Sequence, residues 1–125
     1  MKIVEIRLID IPSLAAGASE QCKVLGCERI RRLTITARCT YNASASGVVT
    51  LYFYFLAPDG DRDTIAYSTL ALTLSAGNTV QRTAEVTCPE DGEMILVVTN
   101  ADSTYAATRV KIYATLQRWS KEVTE

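Results

Sequence analysis

Three sets of residues in this chain have the types and spacing that chemistry would need. In Asp59-Gly60-Asp61-Arg62-Asp63, three carboxylates stand at alternate positions. Oxygen ligands gathered in a tight loop suit Ca²⁺, a hard cation. An EF-hand would need glycine where Thr64 stands and glutamate where Leu70 stands, and both are missing. The expectation is a solvated hairpin turn. Glu90, Asp91 and Glu93 form a second acidic cluster. Paired carboxylates do acid–base work when their surroundings split their pKa values, and a turn open to water does not split them. The third set is the four cysteines, Cys22, Cys27, Cys39 and Cys88. Zinc would want paired close spacings or histidines, and the chain has no histidine. No metal or cofactor is expected. Three full disulfide pairings are open. Cys22 and Cys27 flank a turn and could pair locally. Cys39 and Cys88 fall on apolar strand phases and read as small buried hydrophobes.

A serine or cysteine nucleophile needs an activating base. With no histidine and no motif supplying lysine or carboxylate in that role, the chain is not expected to be an enzyme. Asn42-Ala43-Ser44 matches the glycosylation sequon. Glu5, Arg7 and Asp10 interrupt the apolar start, so no signal peptide is expected and the sequon reads as chance. Without export, reduced thiols are the default.

The more informative residues are apolar ones in the wrong place for a core. Tyr52, Tyr54, Tyr113 and Trp119 all fall in the polar phase of their strands. Outward aromatics mark protein interfaces and sugar platforms. Together with Ile3, Ile6, Leu8, Ile9 and Ile11 of the N-terminal segment, they make the candidate interface.

The elements that position these residues are strands. Ile3 to Ile11 is extended, with Val4, Ile6 and Leu8 on one face, and Pro12 is expected to end it. It is either an edge strand or an arm that docks elsewhere, because the flexible SLAAGAS follows. Gln21 to Leu25 reads as a short strand. Ile30 to Tyr41 alternates cleanly, with Leu33, Ile35, Ala37 and Cys39 facing in. Val48 to Ala57 puts Val49, Leu51, Phe53 and Phe55 on one side and Tyr52 and Tyr54 on the other. Pro58-Asp59-Gly60-Asp61 is a turn in which proline sets φ and glycine accepts φ > 0. Thr64 to Leu74 and Val80 to Cys88 follow, and Arg82 breaks the phase of the latter, as on an edge. Met94 to Thr99 is apolar on both faces, which predicts a central strand. Thr108 to Trp119 alternates again. The spacing predicts an all-β fold, one antiparallel β-sandwich of about seven or eight strands. Residues 1–19 would form the N-terminal strand or arm, 20–119 the sandwich, and 120–125 a frayed tail.

The whole sequence allows one domain with a real core: 125 residues, 48% hydrophobic and 22% charged. A net charge of −1 supplies no bulk field for nucleic acid or an acidic membrane surface. No apolar run approaches the roughly 18 residues of a membrane span. Neither nucleic acid nor membrane is expected as a partner.

Over its last two thirds the chain resembles small virion proteins of tailed bacteriophages. The residues that carry this are Ala57 to Asp59, Asp63-Thr64, Leu72 to Val80, Gly92 to Asn100, and Thr108 to Trp119. In that pattern a strand ends in an Ala-Pro-Asp-Gly corner. A Leu-Ser-Ala-Gly hairpin and a strand closing on asparagine follow. The resemblance implies a jelly-roll-like sandwich in a capsid or tail, acting by assembly. Its partners would be copies of itself and a major capsid or tail protein, in a virion assembled in the host cytoplasm. The N-terminal arm, Met1 to Ser19, is not part of that pattern; it is expected to be the segment exchanged between subunits, so removing residues 1–12 would leave a folded monomer that no longer assembles. Related patterns occur in sugar-binding modules. The alternative is therefore a carbohydrate-binding or receptor-binding module, in which Tyr52, Tyr54, Tyr113 and Trp119 share one open face.

Overall fold

A computed structural model describes residues 2–88 and 92–118. Trp119, the tail 120–125, and Glu90 and Asp91 of the acidic cluster lie outside the described residues. All the regular structure described is β: β1 (Lys2–Leu14), β2 (Ser19–Gln21), β3 (Leu25–Gly26), β4 (Ile30–Thr40), β5 (Val49–Leu56), β6 (Ser68–Leu72), β7 (Thr79–Glu85), β8 (Glu93–Asn100) and β9 (Ala107–Arg118). One sheet runs β1-β9-β4-β7 and the other β2-β8-β5-β6, with β3 also on β8; every registered pair is antiparallel. Because β2 and β3 both lie on β8, they act as one interrupted strand. Each sheet then has four positions, and consecutive strands cross between the sheets except at the β5–β6 hairpin, which stays within one sheet. That order is a double Greek key. The fold is a jelly roll.

Strand alternation dictates the core. Leu33, Ile35, Ala37 and Cys39 of β4 and Val110, Ile112, Ala114 and Leu116 of β9 are buried on the inner face of one sheet. Val49, Leu51 and Phe53 of β5, Leu70 and Leu72 of β6, and Met94, Leu96 and Val98 of β8 meet them from the other. Each large side chain removed from water this way stabilises the fold by roughly 1.5–3 kcal/mol. The apolar β8 is central, flanked by β2 and β3 on one side and β5 on the other. Ile95, which faces away from the core, is also buried. β7 is an edge, and Arg82 stays exposed there and donates to the Ala71 carbonyl at 3.0 Å.

The N-terminal segment differs from expectation in two ways. First, Pro12 does not end it: β1 continues to Leu14, paired with β9 from Lys2↔Arg118 to Leu14↔Ala107. An edge strand tolerates proline, because alternate N–H groups there need no ladder partner. Second, the inward phase changes at a bulge between Arg7 and Ile9. Val4 and Ile6 pack on the core before it, and Ile9 and Ile11 after it. The extra residue, Leu8, is itself buried. Of the two alternatives for this segment, the structure shows the edge strand.

Candidate functional site

The candidate interface residues separate by environment. Leu8 is core, Ile6, Ile9 and Ile11 pack against the core, and Ile3 stands 68% exposed. Tyr52 and Tyr54 are half-buried on the outer face of the β5–β8 sheet. They border a hollow of about 440 Å³ with Gln21, Val97 and Thr99, and the Arg62 guanidinium lies 4.6 Å from the Tyr54 ring centre. Tyr113 alternates with buried Ile112 and Ala114 on β9 and so lies on the outer face of the opposite sheet. The whole sandwich separates it from Tyr52 and Tyr54, so the three described tyrosines do not make one platform.

The Asp59–Asp63 turn is closed by its own backbone. Ala57 N–H donates to the Asp61 carbonyl at 2.8 Å, Gly60 N–H to the Ala57 carbonyl at 2.8 Å, and Asp63 N–H to the Phe55 carbonyl at 3.0 Å. Gly60 takes φ +93°, which a side chain would strain. The Asp59 carboxylate accepts the Asp61 N–H at 3.0 Å. No group of three metal-ligating side chains occurs among the described residues. Asn42 caps its own loop through the Ser44 N–H at 2.8 Å.

The cysteines are arranged differently from the local pairing the sequence allowed. All four are free thiols. Cys27 meets Cys88, not Cys22, because β3 lies against the start of β8 and the Cys27 N–H binds the Gly92 carbonyl at 2.8 Å. The Cys27 S–H donates to the Leu25 carbonyl at 3.8 Å. The neighbouring Cys88 thiol, helped by burial, raises the Cys27 pKa, and Cys27 in turn lowers that of Cys88. Burial pushes Cys22 up to about 12 and Cys39 up to about 11, so both are inert as nucleophiles.

Two features were missed by the sequence reading. The first is a polar clasp at the end of β8. The Asp102 carboxylate accepts four backbone N–H groups: Ser46 (2.7 Å), Gly47 (3.0 Å), Thr104 (2.8 Å) and Tyr105 (2.8 Å). These bonds, that from Tyr105 foremost, hold its pKa well below the ordinary carboxylate range. Asn100 donates to the Leu14 carbonyl at 3.1 Å and the Tyr105 carbonyl at 3.0 Å, and accepts the Asp102 N–H at 3.0 Å. Tyr41 adds a stitch: its hydroxyl donates to the Leu72 carbonyl and accepts the Val49 N–H at 2.9 Å. The available signal was Asn-x-Asp directly after an apolar strand, with Ser-Gly in another loop.

The second is a basic hollow of about 580 Å³ on the outer face of the β1–β9–β4–β7 sheet, lined by Asp10, Pro12, Arg38, Thr40, Arg109 and Lys111. Arg109 sits where the β4–β9 register shifts, with φ +52°, a strained backbone for arginine. The outward phase of these cations was legible, but their convergence depends on strand pairing.

No protein-family model and no curated protein matches this chain. Solved structures do. The infectious bursal disease virus Gx strain structure aligns with a TM-score of 0.62 at 13% identity, over 96% of this chain and 33% of that one. The infectious bursal disease virus VP2 subviral particle gives 0.61 at 12% identity, over 94% and 33%. Eiger TNF from S. frugiperda gives 0.56 at 7% identity, over 100% and 99%. The chain thus spans about a third of the viral chains it matches. At such identities these likenesses show the sandwich fold alone.

Proposed function

We propose that this chain is a non-enzymatic structural protein of a phage particle, a capsid decoration or tail component that acts by assembly. One observation carries the reading: a single jelly roll occupies nearly all of the described chain, and its likeness to chains of a viral particle covers 94% of it. Jelly rolls recur in viral capsids. The resemblance to small virion proteins of tailed bacteriophages supports the narrower placement. The partners are copies of the chain and a major capsid or tail protein.

β1 is the natural strand for such contacts. It is long, it ends its sheet, and it carries the exposed Ile3. Its outer edge is partly blocked, since Lys23 N–H binds the Leu8 carbonyl at 3.1 Å. The stretch before the bulge remains for strand addition, in which backbone hydrogen bonds supply affinity. The test is co-sedimentation of tagged protein with particles from a producing host. The expected result is protein in the particle fraction at fixed stoichiometry. A chain absent from particles would overturn the placement.

A carbohydrate-binding or receptor-binding role has one observation of its own, the hollow of Tyr52, Tyr54 and Arg62. Aromatic faces of this kind suit sugar rings. A glycan array whose hits vanish in Tyr52→Ala/Tyr54→Ala would support it, and an array without hits would remove it.

A further inference from the structure

The two ends of the jelly roll carry preorganised charge of opposite sign. At one end lies the basic hollow. Arg38, Arg109 and Lys111 face Asp10 as its only acid among the lining residues. Asp10 is occupied by Arg7 at 3.2 Å, and Arg38 is fixed by Gln81 at 2.9 Å without being neutralised. Among the described residues, none of the three lining cations has an ion-pair partner. An overall charge of −1 makes this cluster a local departure. The strained backbone of Arg109 at a register shift is the kind of feature that re-aims a side chain.

At the other end the Asp59–Asp63 turn protrudes, with residues 58–65 all exposed. Its backbone bonds hold it rigid, and Arg62 folds back over Tyr54. That leaves the Asp61 and Asp63 carboxylates without an ion-pair partner among the described residues. The ends are opposite because Arg38 and Thr40 close β4 beside the loop that opens β5 at Val49, whereas the turn follows Leu56 at the far end of β5. Eight residues of β5 at roughly 3.3 Å each set the ends about 25 Å apart.

We infer that the basic hollow receives the acidic turn of a second copy of this chain, joining copies head to tail. The inference rests on the assembly reading and names one of its contacts. The hollow has room for a tight turn, and of the Thr40 and Thr79 hydroxyls, which bond each other at 2.8 Å, one is left to donate to a carboxylate beside the cations. Donor and acceptor patches differ, so the contact is heterologous and closes a ring or runs on as a filament.

The experiment uses the full chain and two charge-reversed variants, R109E/K111E and D61K/D63K, followed by sedimentation velocity across protein and salt concentration. Far-UV circular dichroism checks that each is folded, and the exposed turn variant serves if the hollow variant is not. Wild-type association should weaken as salt rises. Each variant alone should associate at least about tenfold more weakly, since like charges then face each other. An equimolar mixture should regain association, because each reversed patch then meets its complement. If association is indifferent to salt and to both variants, this contact is wrong and assembly stands by another surface. A wild-type chain that is monomeric throughout overturns the contact. The assembly reading falls with it only if the chain is also absent from particles.

Discussion

The two ends of the sandwich are pinned by different chemistry. At the clasp end, one carboxylate gathers four backbone N–H groups from two loops, and Asn100 and Tyr41 tie those loops to β1 and β6. At the thiol end, the Cys27 and Cys88 thiols are neighbours, and the Arg118 guanidinium donates to the Gly26 and Glu28 carbonyls at 3.1 and 3.3 Å. Charge-assisted bonds to backbone are strong and directional, whereas thiol contacts are weak. The comparison teaches that each end holds its surface by its own means: the clasp fixes the loops beside the basic hollow, while the acidic turn at the thiol end is fixed by its own backbone bonds.

Removing residues 1–12 takes away the strand that spans both ends. Leu8 and most of the β1–β9 ladder go with it, so the expected product is unfolded by circular dichroism. A folded, non-assembling product would instead restore the exchangeable arm that the sequence allowed. Gly47→Ala strikes the clasp next. A Cβ there would lie 2.3 Å from the Asp102 nitrogen and 2.4 Å from its Cα, both backbone atoms. The expected loss is at least ~4 kcal/mol in urea unfolding. A loss below ~1 kcal/mol would show that the loops yield easily, and the contrast between ends would collapse.

Asp102→Ala should destabilise the clasp in a pH-dependent way. The folded pKa is depressed, so the carboxylate's contribution is complete above its ordinary value of about 3.9. That contribution is lost as pH falls from there through the folded value. The variant should therefore be less stable than wild type at neutral pH and converge with it in strong acid. Parallel stability curves would contradict this. Tyr41→Phe keeps the ring and removes one hydroxyl stitch, with an expected cost of about 1–2 kcal/mol. At the other end Cys88→Ala should cost at most ~1 kcal/mol. Cys88 should also alkylate first, because it is the least buried of the thiols and Cys27 stabilises its thiolate. Equal labelling of Cys22 or Cys39 by mass spectrometry would contradict that order.

Strand phase was legible wherever period 2 ran long, as in β4, β5 and β9, because alternation is a local consequence of the pleat. The edge character of β7 was legible from Arg82 alone. The bulge at Leu8 showed only as a change of apolar phase from Val4 and Ile6 to Ile9 and Ile11, and its cause, the pairing with β9, lay outside β1. The clasp was hidden for a related reason: Asp102 is an ordinary loop aspartate until Ser46 and Gly47 are brought to it. Cys27 and Cys88 likewise become neighbours only through the crossover of strands. The outward tyrosines were placed correctly as outward. Which sheet each belongs to required the topology, and that divided Tyr113 from Tyr52 and Tyr54.

The central claim is that this jelly roll acts by associating with copies of itself and with a particle. Native mass in solution tests it most directly, measured by sedimentation equilibrium over a wide concentration range. The account predicts discrete species at multiples of the chain mass, giving way to single chains as salt rises. A single-chain mass at every concentration and every salt, in a chain also absent from particles, would contradict it.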